Sequence, residues 1–384
     1  MSNPLPRPRP QPERPELLLF VEDPSAVNYA ALLLPEFERR GWSTLLCAAN
    51  VASELLRARG IDFLETDAQT GARALIERNR PKCVLTGTAE NPDTLGLQLI
   101  DATREQGIAS IAFVDARMNS EYRFRGRSGA PLAHAPDWLM VPDDWTLKAF
   151  ASLGFAPERI AVCGHPQHDL VRDLGKQWSR VGAPAFRRRI FPEVPLERRI
   201  VVFVSEGSVR YDIQPRASAA DLGLKGRGRD NGRTKIALEE VLDAIAAMGE
   251  KPYFVFRAHP TENPGDYAEY GSEIDLISSD GSPLELVYAS DLVIGMTSTL
   301  LLEAMLLGKP CLAVLPDASE GVWLPGTEFG LVSYATSREQ LGIALAEALQ
   351  DHPRLYAAVG IHEVAVGAVQ RSAVFIAGRL KKSI

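Results

Sequence analysis

The feature of this sequence that most restricts its fold is a regular alternation of short apolar runs with longer amphipathic segments. Beginning at Leu17, runs with β-type composition are separated by stretches long enough to form helices. This alternation is typical of βαβ units, which build a parallel sheet covered on both faces. The sequence therefore predicts an α/β protein. The predicted strands are residues 17–21, 43–49, 61–65, 83–87, 110–114, 138–142 and 160–164, followed by 200–205, 253–258, 274–278, 292–296, 310–316 and 331–335.

The length of the chain predicts two domains, because 384 residues exceed what one hydrophobic core usually organises. The strand rhythm stops at 171–199, a stretch without a strand signal, and resumes after it. We therefore predict α/β domains at 16–170 and 200–358, a linker at 171–199 and a C-terminal helix at 359–384. Residues 1–15 alternate proline with polar residues, which predicts a disordered tail because proline suits neither helix nor sheet.

Composition and charge exclude several classes of protein. The chain carries 42 Lys and Arg against 49 Asp and Glu, and its net charge of −7 has the wrong sign for a protein that coats nucleic acid. The four cysteines are far apart and form no C-x-x-C pair, which indicates reduced thiols. No apolar stretch has the length of a membrane span, and no apolar signal region follows the start. We expect a cytoplasmic protein without a transmembrane segment; peripheral membrane association is compatible with the sequence, and no pattern sets the oligomeric state.

The strongest functional motif lies in the second half, where an apolar strand ends at Gly295 and hydroxyl residues open the next helix. Hydroxyls, free backbone N–H groups and the positive end of the helix dipole together bind phosphate well. The alternative is a plain N-cap, in which a hydroxyl satisfies only the helix's own donors. Glu303 lies one turn further on, and we expect its carboxylate either to contact ribose hydroxyls or to face solvent. The hydroxyl residues are Thr297, Ser298 and Thr299.

Two further strand ends in this half carry polar residues. His259 and Pro260 follow the strand 253–258, and an imidazole beside a phosphodiester can neutralise the charge that develops on a leaving group. The alternative for His259 is a polar loop residue without a ligand. Ser205, Glu206 and Gly207 follow the strand 200–205 and predict either a loop that approaches the nucleotide or an ordinary turn.

These motifs resemble the nucleotide-binding half of the GT-B superfamily, and the layout of 17–350 resembles the whole fold. The strand, the hydroxyl cluster, the helix with an internal Glu and the Gly-Lys-Pro exit at 308–310 carry the resemblance. The His259-Pro260 pair resembles the His-Pro motif of bacterial polysialyltransferases and CDP-glycerol glycerophosphotransferases, in which the imidazole contacts the nucleotide phosphate. The resemblance implies two Rossmann-like domains facing each other across a cleft, the first binding the acceptor and the second the nucleotide.

The resemblance also implies a general base in the first half, where acidic residues follow two predicted strands. Glu22 and Asp23 follow 17–21, and Asp115 follows 110–114. Polysialyltransferases use an acidic pair followed by glycine, whereas Pro24 follows the pair here. Each acidic residue has the alternative role of a helix N-cap.

A second His-Pro pair closes the last predicted strand of the first half. His165, Pro166 and His168 give the spacing H-x-x-H, yet a loop containing proline does not present two imidazoles as a helical pair would. A structural role is therefore favoured for this segment. Because no D-x-D motif occurs anywhere, we predict a reaction without a metal ion.

The sequence thus predicts a metal-independent GT-B-type transferase that moves a sugar, sugar acid or polyol phosphate to an acceptor hydroxyl in surface glycan synthesis. Its donor is a nucleotide-activated sugar, its acceptor a glycan or another hydroxyl compound, and no separate cofactor is expected. One alternative is a hydrolysing UDP-sugar 2-epimerase, although such enzymes usually carry a Ser-Gly-Gly phosphate loop where this chain has GMTST. The other alternative is a protein that binds nucleotide sugars without catalysis.

Overall fold

The structure is a computed structural model that describes residues 14–66, 69–206, 222–228, 232–324, 332–349 and 367–380. The chain divides into two compact units. The first unit comprises Met1–Asp169 with Gly360–Ile384, and the second comprises Leu170–Val359. Each unit contains one parallel sheet, so the predicted α/β class is confirmed.

The first unit contains a sheet of seven parallel strands in the order β3-β2-β1-β4-β5-β6-β7. Its elements in chain order are β1 (Leu17–Val21), α1 (Pro24–Arg39), β2 (Thr44–Ala48), α2 (Val51–Ala58), β3 (Leu64–Glu65), α3 (Ala72–Asn79), β4 (Cys83–Gly87), α4 (Leu95–Gln106), β5 (Ala109–Phe113), β6 (Trp138–Val141), α5 (Asp144–Ser152) and β7 (Ile160–Val162).

The core of this unit follows from the period-two geometry of its central strand. Leu17 and Leu19 of β1 pack into one apolar cluster, and Leu18 and Phe20 pack into another on the opposite face. Helices cover both faces, which is why the strand reads as a continuous apolar run rather than an alternating one. The last described helix, α12 (Ala368–Leu380), joins the first of these clusters.

The second unit contains a sheet of six parallel strands in the order β10-β9-β8-β11-β12-β13. Helix α6 (Pro166–Trp178) leads into it. Its other elements are α7 (Ala183–Ile190), β8 (Ile200–Val204), α8 (Arg233–Ala246), β9 (Tyr253–Arg257), β10 (Leu276–Ser278), α9 (Pro283–Ala289), β11 (Leu292–Gly295), α10 (Thr299–Leu306), β12 (Cys311–Val314), β13 (Ser333–Ala335) and α11 (Arg338–Ala348).

The stretch 171–199, predicted as a linker, contains most of α6 and all of α7. Phe186 of α7 packs against Trp178 and Tyr288, with ring centroids 5.0 Å apart in both pairs. These contacts belong to the second unit and bury an aromatic cluster under α9. A segment without strand signals has therefore formed helices that pack, rather than an extended connection.

Both sheets reverse their strand order at the first strand of the unit. In the first unit β1 lies between β2 and β4, and in the second β8 lies between β9 and β11. Because all pairings are parallel, the loops that follow these neighbouring strands emerge at one edge. Ligands of parallel α/β sheets usually bind at this carboxyl edge, beside the reversal point.

Candidate functional site

The polar motifs of the second unit meet at the carboxyl edge of its sheet. Glu206 follows β8, His259 follows β9 and Thr297 follows β11, and these three strands are neighbours. A Cβ atom on Gly295 would lie 2.7 Å from Val204 Cγ2, so only glycine permits this close approach of β11 to β8. The fold thus brings together residues that are far apart in the sequence.

The carboxylate of Glu206 is the centre of this edge. Its oxygens accept hydrogen bonds from the backbone N–H of Thr297, from the Thr297 hydroxyl at 3.0 Å and from Arg233 Nη1 at 2.6 Å. Arg233 also donates to the Thr297 hydroxyl at 3.2 Å. An amide, a hydroxyl and a guanidinium are the donors that commonly hold a phosphate oxygen. Glu206 therefore occupies an arrangement that suits an anion.

Arg233 joins two carboxylates at this edge. It donates from Nε and Nη2 to the two oxygens of Glu320, both at 2.7 Å, in a bidentate pair. Burial by itself lowers the pKa of Arg233. The charges of Glu206 and Glu320 outweigh burial and raise this pKa above its usual value, so the guanidinium stays charged. Burial raises the pKa of Glu320 in spite of this pairing. With one guanidinium facing two carboxylates, this part of the edge carries excess negative charge when no ligand is bound.

A second network holds the loop that carries His259. Glu262 accepts a hydrogen bond from the Ser205 hydroxyl at 2.5 Å, from the His259 backbone N–H at 3.0 Å and from the Tyr267 hydroxyl at 2.6 Å. These contacts tie the end of β8 to the end of β9. Ser205 thus has a defined partner within the protein, and the position of His259 is fixed through its backbone.

The protonation state of His259 follows from its own loop. Its Nδ1 accepts a hydrogen bond from the backbone N–H of Thr261 at 3.3 Å and lies 2.7 Å from the Thr261 hydroxyl. A nitrogen that accepts cannot carry the proton of a neutral ring, so Nε2 carries it. Burial lowers the pKa of His259, while Glu262 and Glu206 partly offset this effect. His259 is therefore a neutral imidazole that can donate through Nε2.

The three hydroxyl residues at the start of α10 have different environments. Thr297 is buried and bonded to Glu206, Ser298 is the N-cap, and Thr299 is the exposed first residue of the helix. The Ser298 hydroxyl accepts from the backbone N–H of Leu300 at 3.3 Å. In this structure the trio does not act as one cluster, and Ser298 fills the capping role that the sequence left as an alternative.

Replacing Ser298 separates capping from ligand binding. We expect Ser298→Ala to lower the free energy of unfolding by about 1 kcal/mol through loss of the N-cap, and Ser298→Gly to lower it by only about a few tenths. Chemical denaturation measures both. If the hydroxyl also binds phosphate, both variants will weaken nucleotide binding equally; an unchanged affinity in both would leave Ser298 with the cap alone.

Other predicted residues of this unit have these positions. Glu303 is buried within α10, which removes exposure to solvent, one of the two alternatives that the sequence left for it. Pro260 is exposed beside His259. Gly207 lies outside the described residues.

Two residues of the site, Arg233 and Glu320, were not predicted from the sequence. The start of α8, which follows β8, and the turn after β12 both reach this edge, so topology indicates where to look for them without selecting the residue.

In the first unit, Glu22 and Asp23 follow β1 at the carboxyl edge. Glu22 accepts hydrogen bonds from the Thr94 hydroxyl and from Asn91 Nδ2, the latter at 3.3 Å. Asp23 is the N-cap of α1 and accepts from the Ala26 backbone N–H at 2.8 Å. Pro24 therefore occupies the first turn of a helix, where a missing N–H costs nothing.

Asp23 has an unusual proton affinity for an aspartate. Burial raises its pKa to about 7, and the charges of Asp115 and Glu22 act in the same direction, while Arg123 opposes them. Asp23 can therefore exchange a proton near neutral pH. This property suits a general base, which works best when its pKa is close to the working pH.

Asp115 is held ionised by a buried arginine. Arg123 Nη1 donates to Asp115 at 2.9 Å, and the same guanidinium donates to the backbone oxygens of Thr88 and Met118. Burial alone raises the pKa of Asp115, but Arg123 and further neighbours lower it below its usual value. His165 is a further neighbour, through its electrostatic interaction with Asp115. The first unit therefore gathers Glu22, Asp23 and Asp115, all predicted from sequence, with Arg123 and His165.

The described part of the chain gives three further findings. It contains no group of three or more His, Cys, Asp or Glu side chains arranged to hold a metal ion. The rings of His165 and His168 stack with centroids 4.9 Å apart. Within the same residues, no helix has both the length and the apolar character that a membrane crossing requires.

Comparison with known proteins gives similarity in structure but not in sequence. No protein-family model matches the chain, and no curated protein matches its sequence. A UDP-GlcNAc 2-epimerase from Neisseria meningitidis, solved with UDP-GlcNAc bound, has a TM-score of 0.67 at 14% identity, over 95% of this chain and 99% of its own. A glycosyltransferase from Rickettsia africae has a TM-score of 0.64 at 11% identity, over 96% and 99%.

The wall teichoic acid polymerase TagF, in a structure soaked with CDPG, is also similar. Its TM-score is 0.58 at 12% identity, over 96% of this chain and 89% of its own. The chain has a GT-B-like fold. At these identities the likeness shows the fold alone. Within the GT-B-like fold, the two carboxyl edges described above are the places where the sequence predicted function.

Proposed function

We propose that this protein is a metal-independent transferase that moves a sugar, a sugar acid or a polyol phosphate from a nucleotide-activated donor to an acceptor hydroxyl. The observation that carries the proposal is the network at the second carboxyl edge, where Arg233 and Thr297 donate hydrogen bonds to one carboxylate, Glu206, and His259 interacts with it electrostatically. The GT-B-like fold supports it, because similar structures were solved with UDP-GlcNAc and CDPG. We place the reaction in cytoplasmic synthesis of surface glycans.

The donor phosphate is proposed to bind at the start of α10. Arg233 and the backbone N–H of Thr297 supply a charge and an amide donor, and His259 supplies Nε2–H. As the leaving phosphate gains charge, these donors stabilise it more strongly than they stabilise the bound substrate. Ser205, Thr299 and Glu303 remain proposed neighbours of the nucleotide, as do Gly207, Ser298 and Pro260.

Asp23 is the proposed general base, in preference to Asp115. Both lie at the first carboxyl edge, but Asp115 is paired with Arg123, and its lowered pKa makes it a weak base. Asp23 has a pKa of about 7 and can accept the proton of an acceptor hydroxyl. Glu22 is buried and hydrogen-bonded to Thr94. It contributes negative charge that raises the proton affinity of Asp23.

A hydrolysing 2-epimerase of UDP-sugars is the second candidate. The observation that favours it is the gathering of three carboxylates, Glu22, Asp23 and Asp115, at one edge, because removing and returning a proton on a sugar needs several acidic groups. Structural likeness to a UDP-GlcNAc 2-epimerase agrees with it. The two candidates share the nucleotide site and differ in product.

Product analysis distinguishes these functions. Calorimetric titration with UDP-, CDP-, GDP- and CMP-linked sugars identifies the donor, and chromatography of the products with and without hydroxyl acceptors identifies the reaction. Transfer predicts free nucleotide together with a glycosylated or phosphorylated acceptor. Free nucleotide with a 2-epimeric sugar would contradict transfer and support the epimerase. Binding without any product would reduce the protein to a nucleotide-sugar binder.

Glu206 provides a test of the phosphate site. We expect Glu206→Gln to strengthen binding of UDP or CDP about three- to tenfold, because the variant removes a negative charge that competes for Arg233 and Thr297. Titration calorimetry measures this change, and Glu250→Gln, an exposed residue after α8, is the control for net charge. Weaker binding in the Glu206 variant would instead make this carboxylate a direct ligand of the nucleotide.

A further inference from the structure

The His-Pro pair of the second unit has a geometric counterpart in the first. His165 follows β7 and His259 follows β9, each at the carboxyl edge of its sheet. In both, Nδ1 accepts a hydrogen bond from the backbone N–H two residues on, at 3.2 Å from Gln167 and at 3.3 Å from Thr261. The proton of each neutral ring is therefore on Nε2. In each unit, therefore, a histidine at the carboxyl edge has its Nδ1 bonded to the backbone and its Nε2–H group as the remaining donor.

His165 is held rigidly in the neutral form. His165 is only 5% exposed. Its ring lies edge-on to the ring of Tyr29, with 5.0 Å between the centroids, and stacks on the ring of His168, with 4.9 Å between the centroids. Burial lowers the pKa of His165 to about 4, and the negative charge of Asp115 offsets this only in part. Nε2 is consequently a donor, rather than a charged group, throughout the neutral pH range.

The Nε2–H group of His165 is available to a ligand. In the described residues it forms no hydrogen bond, and it is not among the fully enclosed side-chain atoms that lack a partner. An N–H group on a nearly buried ring that has no protein acceptor binds a ligand oxygen well, because water competes weakly there. This observation is independent of the likeness to His259.

The charges around His165 determine which oxygen suits it. The acidic groups of the cluster are Glu22, Asp23 and Asp115, with Glu90 acting on Arg123. Arg123 is the cation in contact with this cluster, and its guanidinium already donates to Asp115 and to backbone oxygens. Three carboxylates against one guanidinium repel a phosphate more strongly here than the two carboxylates that face Arg233 in the second unit, whereas an uncharged hydroxyl meets no such repulsion.

We propose that His165 is a substrate-binding residue whose Nε2–H donates to a hydroxyl oxygen of a neutral, polyhydroxylated acceptor. This inference rests on the proposed function and names the class of acceptor. The two His-Pro pairs then serve different ligands, a phosphate beside Arg233 in the second unit and a hydroxyl beside Asp23 and Asp115 in the first.

Imidazole NMR of the full-length protein tests both histidines in one experiment. Long-range proton–nitrogen spectra are assigned with His165→Phe and His259→Phe, and the protein is titrated first with UDP or CDP. Glycerol, N-acetylglucosamine and, as the anionic probe, N-acetylglucosamine 6-phosphate follow at saturating nucleotide. We expect the His165 ring to remain neutral with its proton on Nε2, and its resonance to move with a neutral probe and not with the phosphate.

Four results of this experiment would contradict the role proposed for His165. A proton on Nδ1, titration of the His165 ring near the usual pKa of about 6.5, a response to the sugar phosphate alone, or no response to either neutral probe overturns the proposal. The His259 resonance reports separately on the nucleotide site. If neither UDP nor CDP moves it, the proposed function fails at that site, whatever His165 shows.

Variants of His165 separate binding from packing. His165→Phe keeps the ring contacts with Tyr29 and His168 and removes the donor, whereas His165→Gln places an amide N–H near the position of Nε2. We expect the Phe variant to raise the KM for the responding neutral probe about three- to tenfold with unchanged UDP or CDP affinity, and the Gln variant to recover most of the loss. Equal losses in both variants that follow a fall in Tm would assign His165 to packing alone.

Discussion

Replacing His259 with alanine is expected to lower kcat by about 100- to 1000-fold, the usual loss when one donor to a developing negative charge is removed. The expectation follows from the geometry of the ring. Its Nδ1 is occupied by the Thr261 backbone N–H, so Nε2–H is the group left to stabilise the leaving phosphate. Because the donor acts mainly in the transition state, nucleotide affinity should change much less than kcat.

Two variants complete this test. His259→Gln retains an N–H near the Nε2 position and should lose less activity than His259→Ala. His134→Ala is the control, because His134 pairs with Asp101 in the first unit, outside both networks. Steady-state kinetics with the donor found by calorimetry gives the values. An unchanged kcat in His259→Ala, or a loss confined to KM, would remove His259 from the chemical step.

Asp23→Asn is expected to lower kcat by about 100- to 10,000-fold, the range of general base catalysis. In the wild type, activity should rise with pH through about 7, because the base works in its ionised form and its pKa is about 7. Asparagine caps a helix as well as aspartate does, so the start of α1 should remain intact. A pH–rate profile measures the loss of the ascending limb.

Asp115→Asn and Asp144→Asn give the comparison. The charge of Asp115 raises the pKa of Asp23, so its removal should move the ascending limb to lower pH without abolishing it. Asp144 is exposed in the first turn of α5, and its variant should leave the profile unchanged. If Asp115→Asn abolishes activity and Asp23→Asn does not, the base is Asp115.

Asp23→Asn, which should lower activity, should raise the stability of the folded protein at alkaline pH. The pKa of Asp23 is higher in the folded protein than in the unfolded chain, so the folded state holds the proton more tightly. The contribution of Asp23 to the free energy of unfolding is full below about pH 4 and is lost as the pH rises through about 7. Asp23→Asn should therefore be more stable than the wild type at about pH 8, on the order of 2 kcal/mol, and this advantage should vanish near pH 4.

The fold was largely predictable from sequence because its strands are buried on both faces. A strand such as β8, Ile200–Val204, reads as a short apolar run bounded by polar residues, and helix-length segments separate it from its neighbours. The stretch 171–199 shows where this reasoning ends. Its lack of a strand signal suggested a linker, yet Pro184 occupies the first turn of α7, and Phe186 packs against Trp178 and Tyr288. Packing between distant residues decided the outcome there.

The site was predictable at strand ends and unpredictable between them. Strand ends located His259, Glu206 and Thr297 because parallel strands deliver their following loops to one edge. Arg233 is 27 residues from Glu206, within a stretch that contains several basic residues, and only the tertiary fold selects one of them. The sequence likewise left open which hydroxyl caps α10, since that depends on where the helix begins. The structure assigns the cap to Ser298.

The central claim is that a nucleotide phosphate binds where Glu206 now meets Arg233 and Thr297. Crystals grown with UDP, CDP and CMP in parallel test it most directly. The claim predicts a phosphate within hydrogen-bond distance of the Arg233 guanidinium and His259 Nε2, with the Glu206 carboxylate moved away from Thr297. A nucleotide bound elsewhere, with the pairing of Glu206 and Arg233 intact, would contradict it.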